Sequence, residues 1–182
     1  MTGSIRRVHK SKDKMRPTIE DVPPFYRPYL AKVEGDNVEW ILTQARQETL
    51  SVLENIDEAK ANYAYADGKW TIKSLIQHIV DSEVVFSFRG LWIARNANGP
   101  LLGFEQDDWV AEEIKNEKSF KSILKNYKAT RDWSTSLFTN MSREELLRTG
   151  NANGYDIKVL ILPYLIAGHN LHHLEILKSR YL

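Results

Sequence analysis

Cysteine is absent from all 182 residues, which excludes disulfide frameworks, thiolate metal sites and thiol nucleophiles together. Any metal must therefore be held by His, Asp or Glu. Also missing is an apolar run near the ~20 residues needed to cross a bilayer, and the N-terminus lacks the apolar stretch of a secretory signal. A cytoplasmic protein is expected; that rests on the missing signal, because a cysteine-free chain suits an oxidising compartment equally well. Charge of one sign is not in excess either: 25 Lys and Arg against 24 Asp and Glu leave a formal net charge of +1. No global field draws the chain to nucleic acid or to a membrane. What is present, 42% hydrophobic and 27% charged residues, is the composition of one globular domain large enough to bury its own core.

Residues 1–14 carry Arg6, Arg7, Lys10, Lys12 and Lys14 among few apolar residues, the pattern of a disordered basic tail with no assigned function. Met15 is an alternative start, and residues 15–182 form the expected domain. Pro17, Pro23, Pro24 and Pro28 alternate with Phe25, Tyr26, Tyr29 and Leu30, which predicts an irregular segment laying aromatic rings onto the body. Four helices follow from apolar spacing at three and four. The first spans about 36–57, opened by an Asp36 and Glu39 capping box. The second runs from about Thr71, its N-cap, to Arg95. A connection over 96–108 that could border a site, with Asp107 or Asp108 capping a short turn that carries Trp109, leads to a third helix over 119–139. Ser142 and Glu145 cap a short helix after it. Gly150 to Asp156 is rich in turn formers and predicts a small hairpin or extended loop, and a last helix runs from Ile157 to the end, kinked early by Pro163. The fold class is all-α, a four-helix bundle with an irregular N-terminal extension.

The chemistry concentrates in histidine. Four of the five histidines fall in two apolar helices, and three of those lie within Gly168-His169-Asn170-Leu171-His172-His173. On a helix, positions 169 and 173 differ by about 400°, so their imidazoles leave one face one turn apart and can share a metal. His172 either flanks that site or points away. His78 lies on the interior stripe of the second helix with Leu75, Ile79 and Ser82. A core histidine often just bonds a carbonyl, yet bundles build metal sites from inward side chains of different helices. His78, His169 and His173 complete a three-ligand set with part of the coordination sphere open. Asp81, one turn beyond His78, is the candidate general base, or it orients a ligand histidine. Glu83 and Glu175 fall off the expected faces and read as solvated carboxylates. Trp70, Trp92 and Trp109 either line a substrate pocket or serve packing.

The run from Lys69-Trp70-Thr71 through His78-Ile79-Val80-Asp81-Ser82-Glu83, followed late in the chain by Gly168-His169-Asn170-Leu171-His172-His173, resembles the DinB-like superfamily and especially its YfiT-type members. The resemblance extends from about Tyr26 onward and implies an up-down-down-up bundle with long crossovers. It puts His78, His169 and His173 at the family's ligand positions, around one divalent ion: zinc or nickel first, with iron or manganese also suited to three imidazoles. It implies a metal-dependent hydrolase, or a transferase of low-molecular-weight thiols such as bacillithiol or mycothiol, acting on a small molecule and working as a homodimer. The alternative is a non-catalytic binding or stress-response protein whose metal braces the bundle.

Overall fold

The computed structural model describes residues 15–97 and 99–182; the expected tail lies outside them. A 3-10 turn over Pro24–Tyr26 runs into α1 (Arg27–Leu30). Then come α2 (Val38–Leu53), the single turn α3 (Glu58–Ala61), α4 (Ile72–Ala94), α5 (Gln106–Glu113), α6 (Phe120–Thr139) and α7 (Arg143–Leu147). The hairpin β1 (Thr149–Ala152) and β2 (Tyr155–Lys158) leads to α8 (Ile161–Ile176), which ends in a π-helical turn over Leu177–Tyr181. No helix among the described residues is long and apolar enough to cross a membrane.

Most boundaries follow local chemistry. Thr71 and Ser119 accept hydrogen bonds from the backbone N–H of Ser74 and Ser122, and Ser142 with Glu145 forms the expected capping box. At α2 the cap is Asn37 rather than Asp36: its Oδ1 accepts from Trp40 N at 2.8 Å, one residue later, which leaves Glu39 in the first turn facing the positive end of the helix dipole. Asp107 and Asp108 likewise lie inside α5, after Glu105, instead of capping a turn. The proline-rich segment is more regular than expected, because prolines at the opening positions of Pro24–Tyr26 and of α1 suit helical turns. Tyr26 and Leu30 are buried as anticipated, while Phe25 faces solvent.

The last helix starts four residues later than Ile157. Residues 155–158 pair with 149–152 in antiparallel register, Gly150 opposite Ile157, across a turn in which Asn153 (φ 54) and Gly154 (φ 79) both take the left-handed conformation of a two-residue hairpin. Pro163 then falls in the first turn of α8, where its missing N–H has no helical acceptor, and the helix runs on through it from Ile161 to Ile176.

Around the bundle, α2 and α4 each pack against both α6 and α8. Two apolar clusters divide its length. Ile41 and Leu42, Phe86 and Ile93, Phe138, and Ile161 to Ala167 fill one; Leu50 and Leu53, Ile72 to Val80, Phe120 to Tyr127, and Leu174 fill the other. Thus α2 and α8 run from the first cluster to the second and α4 and α6 run back, an up-down-down-up order with long crossovers. Between the clusters lies a polar belt to which every long helix contributes: Thr49, Glu83, Arg131 and Asn170 are all buried.

Candidate metal centre

His78 from α4 and His169 and His173 from α8 meet at the edge of this belt because α4 and α8 are packed neighbours. The Nε2 atoms of His78 and His169 stand 3.0 Å apart and those of His169 and His173 3.1 Å. All three residues offer a ligand atom within 4.8 Å of the others. Nitrogens bound at ~2.0–2.1 Å to one ion are separated by about 2.9–3.4 Å for bond angles between 90° and tetrahedral, so the observed spacings fit three ligands on one face of a coordination polyhedron.

Electrostatics prepares the same arrangement. The three side chains are 3, 6 and 9% exposed, and loss of water disfavours the charged ring. Burial takes His78 down to about 4, against a smaller opposing pull from Asp107. Burial, and then the neighbouring His78 and His172, takes His173 down to about 3. His169 is held well below the ordinary range by burial and by the other three histidines. At neutral pH these rings are uncharged and can present lone pairs. The tautomer with the lone pair on Nε2 carries its proton on Nδ1, and the buried Nδ1 of His173 has no partner among the described residues. Three converging ring nitrogens with so little other hydrogen bonding could hold a cation.

Aromatic rings wall the cluster. Trp70 lies 4.9 Å from His78, Tyr29 5.4 Å from His169 and 5.5 Å from His172, and Phe86 6.2 Å from His169. Tyr29 can come this close because residue 168 is glycine: a Cβ there would sit 2.1 Å from the Tyr29 carbonyl oxygen. Two cavities reach the histidines. One of about 650 Å³ is bounded by His173, Trp70, Tyr65, Tyr181, Ile176 and Asp107. The other, about 230 Å³, is bounded by His78, His169, Ser82, Phe86, Arg89 and Glu105.

The remaining residues singled out from sequence divide. Asp81 accepts a hydrogen bond from Gln77 Nε2 at 2.8 Å. Burial raises its pKa, against the pull of Gln77 and of Lys118. It is not among the described residues bounding either cavity, whereas Glu105 and Asp107 are. His172 is half-buried beside His173, their rings 5.0 Å apart, outside the three-nitrogen cluster. Glu175 is exposed and pairs with Lys32. Glu83 is not a solvated carboxylate: it is 2% exposed and takes Arg131 Nε and Nη2 at 2.7 and 2.8 Å, and Ser134 Oγ as well. Trp70 lines a cavity; Trp109 rests against Phe104 and Trp92 against Phe88. Tyr29 and Arg89 were not assigned to the site from sequence; Glu105 and Asp107 belong to the 96–108 connection that was expected to border a site, and they do bound the two cavities.

Comparison with known proteins agrees with this picture. A family model described as the DinB superfamily matches residues 41–177. A protein of Halalkalibacterium halodurans named "Putative metal-dependent hydrolase BH0277" is 25% identical over 144 residues, which are 78% of this chain and 84% of that protein. Among solved structures, YfiT from Bacillus subtilis, described as a probable metal-dependent hydrolase with an unusual four-helix bundle topology, superposes with a TM-score of 0.63 at 14% identity, over 91% of this chain and 93% of its own. A mycothiol-dependent maleylpyruvate isomerase superposes with a TM-score of 0.65 at 12% identity, over 87% of this chain; the chain spans only 62% of that protein. At these identities the two structures establish the shared fold.

Proposed function

The chain belongs to the DinB superfamily, and from that premise we propose that it is a metal-dependent enzyme acting on a small molecule, with His78, His169 and His173 as ligands of one divalent ion. The carrying observation is the convergence of three uncharged Nε2 atoms at 3.0 and 3.1 Å. Zinc or nickel suits the set best, with iron and manganese compatible. Bound there, the ion supplies Lewis acidity, lowering the pKa of water toward ~7 or holding a thiol as its thiolate.

The chain's own residues supply the rest. Trp70, Tyr65 and Tyr181 give the larger cavity an aromatic wall against which a bound molecule can stack. Asp107 bounds that cavity and acts electrostatically on His78, which makes it a proton acceptor to set beside Asp81. Cavities reaching the cluster at His173 and at His78 and His169 leave room for two organic reactants, which supports transfer of a low-molecular-weight thiol to a second substrate over hydrolysis. They also count against a non-catalytic bracing metal, which needs no access. Homodimerisation and a cytoplasmic location belong to the same reading.

The test is elemental analysis of untagged protein alongside its His78→Ala, His169→Ala and His173→Ala variants. One divalent ion per chain, lost in each variant, is expected. No metal after reconstitution with zinc or nickel would reduce the histidines to core residues. In loaded protein, Asp107→Asn and Asp81→Asn then separate the two carboxylates by their effect on turnover with ester and thiol-acceptor substrates.

A further inference from the structure

Arg89 is a buried cation for which the three-histidine reading provides no task. It lies on α4, 4% exposed. Its Nη2 donates to the Leu102 carbonyl at 2.8 Å and its guanidinium stands 5.9 Å from the centre of the Phe86 ring. No carboxylate among the described residues forms an ion pair with it. Arg131, the other buried arginine of the bundle, shows the usual solution: Glu83 takes it bidentately. A guanidinium carries five N–H donors and cannot shed its charge, so a buried one facing a cavity without a counter-ion is a site for an anion.

The cavity is the smaller of the two that reach the histidines, bounded by Arg89, Phe86, Ser82, His78 and His169. Phe86 lies between the two ends, 6.2 Å from the His169 ring and 5.9 Å from the Arg89 guanidinium, so that carbon is no more than about 12 Å from the His169 ring. A volume of about 230 Å³ is below the ~300–1,000 Å³ of drug-sized pockets and limits the occupant to a small molecule. Glu105, which is exposed, bounds the same cavity without pairing with Arg89 and repels a phosphate dianion more than a monoanion, and the planar guanidinium fork matches a carboxylate in two parallel hydrogen bonds.

The geometry points to Arg89 as the specificity-determining residue of the site: it binds the carboxylate of a small substrate whose reacting end lies against His78, His169 and His173. This rests on the metal-centre reading, and the test separates the two. Zinc-loaded full-length protein is titrated calorimetrically with acetohydroxamic acid, which binds metal through its hydroxamate and carries no carboxylate, and with the mono-hydroxamic acids of succinic, glutaric and adipic acid and their methyl esters.

At least one of the acids is expected to bind tenfold or more tightly than its ester. Arg89→Gln abolishes that preference while leaving metal content and acetohydroxamate affinity unchanged, and Arg89→Lys, which keeps the charge but not the fork, retains part of it. Where Arg89→Gln does not fold, as judged by circular dichroism, Arg89→Lys carries the test with a loss of several-fold. No preference for acid over ester, or a preference that survives in Arg89→Gln, overturns the assignment; tighter binding of a phosphonate analogue overturns the choice of carboxylate. Absence of metal from the natural protein is a failure of the metal reading alone. Glutarate by itself then tests Arg89, and binding that persists in Arg89→Gln refutes it.

Discussion

A histidine pair one helical turn apart is among the few functional signals that single residues carry, because helix periodicity alone fixes the relative direction of two side chains. The shared direction of His169 and His173 was legible for that reason, and the inward direction of His78 because it shares an interior stripe with Leu75, Ile79 and Ser82. The positions of Tyr29 and Arg89 were not: Tyr29 arrives through the packing of α1 on α8, and Arg89, on the same helix as His78, meets a cavity only where the connection after α4 folds back over it. Glu105 and Asp107 lie in the 96–108 connection that was expected to border a site. Glu83 was misread because angle on one helix says nothing about Arg131 waiting on another. The uncharged histidines have a consequence for stability. In metal-free protein, burial holds His78 at about 4 and His173 at about 3, against about 6.5 in an unfolded chain. Between those limits the unfolded state binds more protons than the native one, so stability falls as pH is lowered from about 6.5. Urea titrations of chelator-treated protein are expected to give lower midpoints at pH 5 than at pH 7, by more than in His78→Ala or His173→Ala. A pH dependence unchanged by those substitutions would mean that these rings do not face a dry interior in solution.

Element boundaries were legible at the Thr71 and Ser142 caps and in the turn formers between Gly150 and Asp156, while the cap of α2 lies at Asn37, one residue beyond the expected Asp36. The start of α8 was not legible, since the apolar run from Ile157 fits a buried helix as well as a strand feeding one. Pairing with β1 decides it. Nor does periodicity reveal what locks the helices together. Arg131 of α6 reaches Glu83 of α4, the Leu42 carbonyl of α2 at 3.0 Å and Asn170 Oδ1 of α8 at 3.0 Å. Asn170 also accepts from Tyr127 Oη at 2.7 Å and donates to Thr49 Oγ1 at 2.6 Å. This network sets the position of α8 one residue from His169. Removing one partner strands a buried charge, so Arg131→Met is expected to cost about 3–5 kcal/mol in urea unfolding, while Arg131→Met with Glu83→Leu recovers most of the loss. If the double variant is no more stable than the single one, the hydrogen bonds to Leu42 and Asn170 matter more than the charge pair.

At the scale of the whole molecule, the belt between the two apolar clusters is where the bundle forgoes hydrophobic packing, and the three-histidine cluster sits at its edge, joining α4 to α8. An ion that binds only the native arrangement stabilises the whole bundle by mass action, about 4 kcal/mol when free metal is ~1,000 times its dissociation constant. For a chain of this size each kcal/mol corresponds to roughly 2–4 °C, so the melting temperature is expected to rise by about 8–16 °C on loading and to return on chelation. Because His78 belongs to one helix and His169 and His173 to another, the increment should vanish in His78→Ala as fully as in His169→Ala, and stay in His172→Ala, whose ring lies outside the cluster. Calorimetric scans of the four proteins with and without zinc distinguish this from adventitious surface binding, in which the shift would be small and indifferent to which histidine is removed.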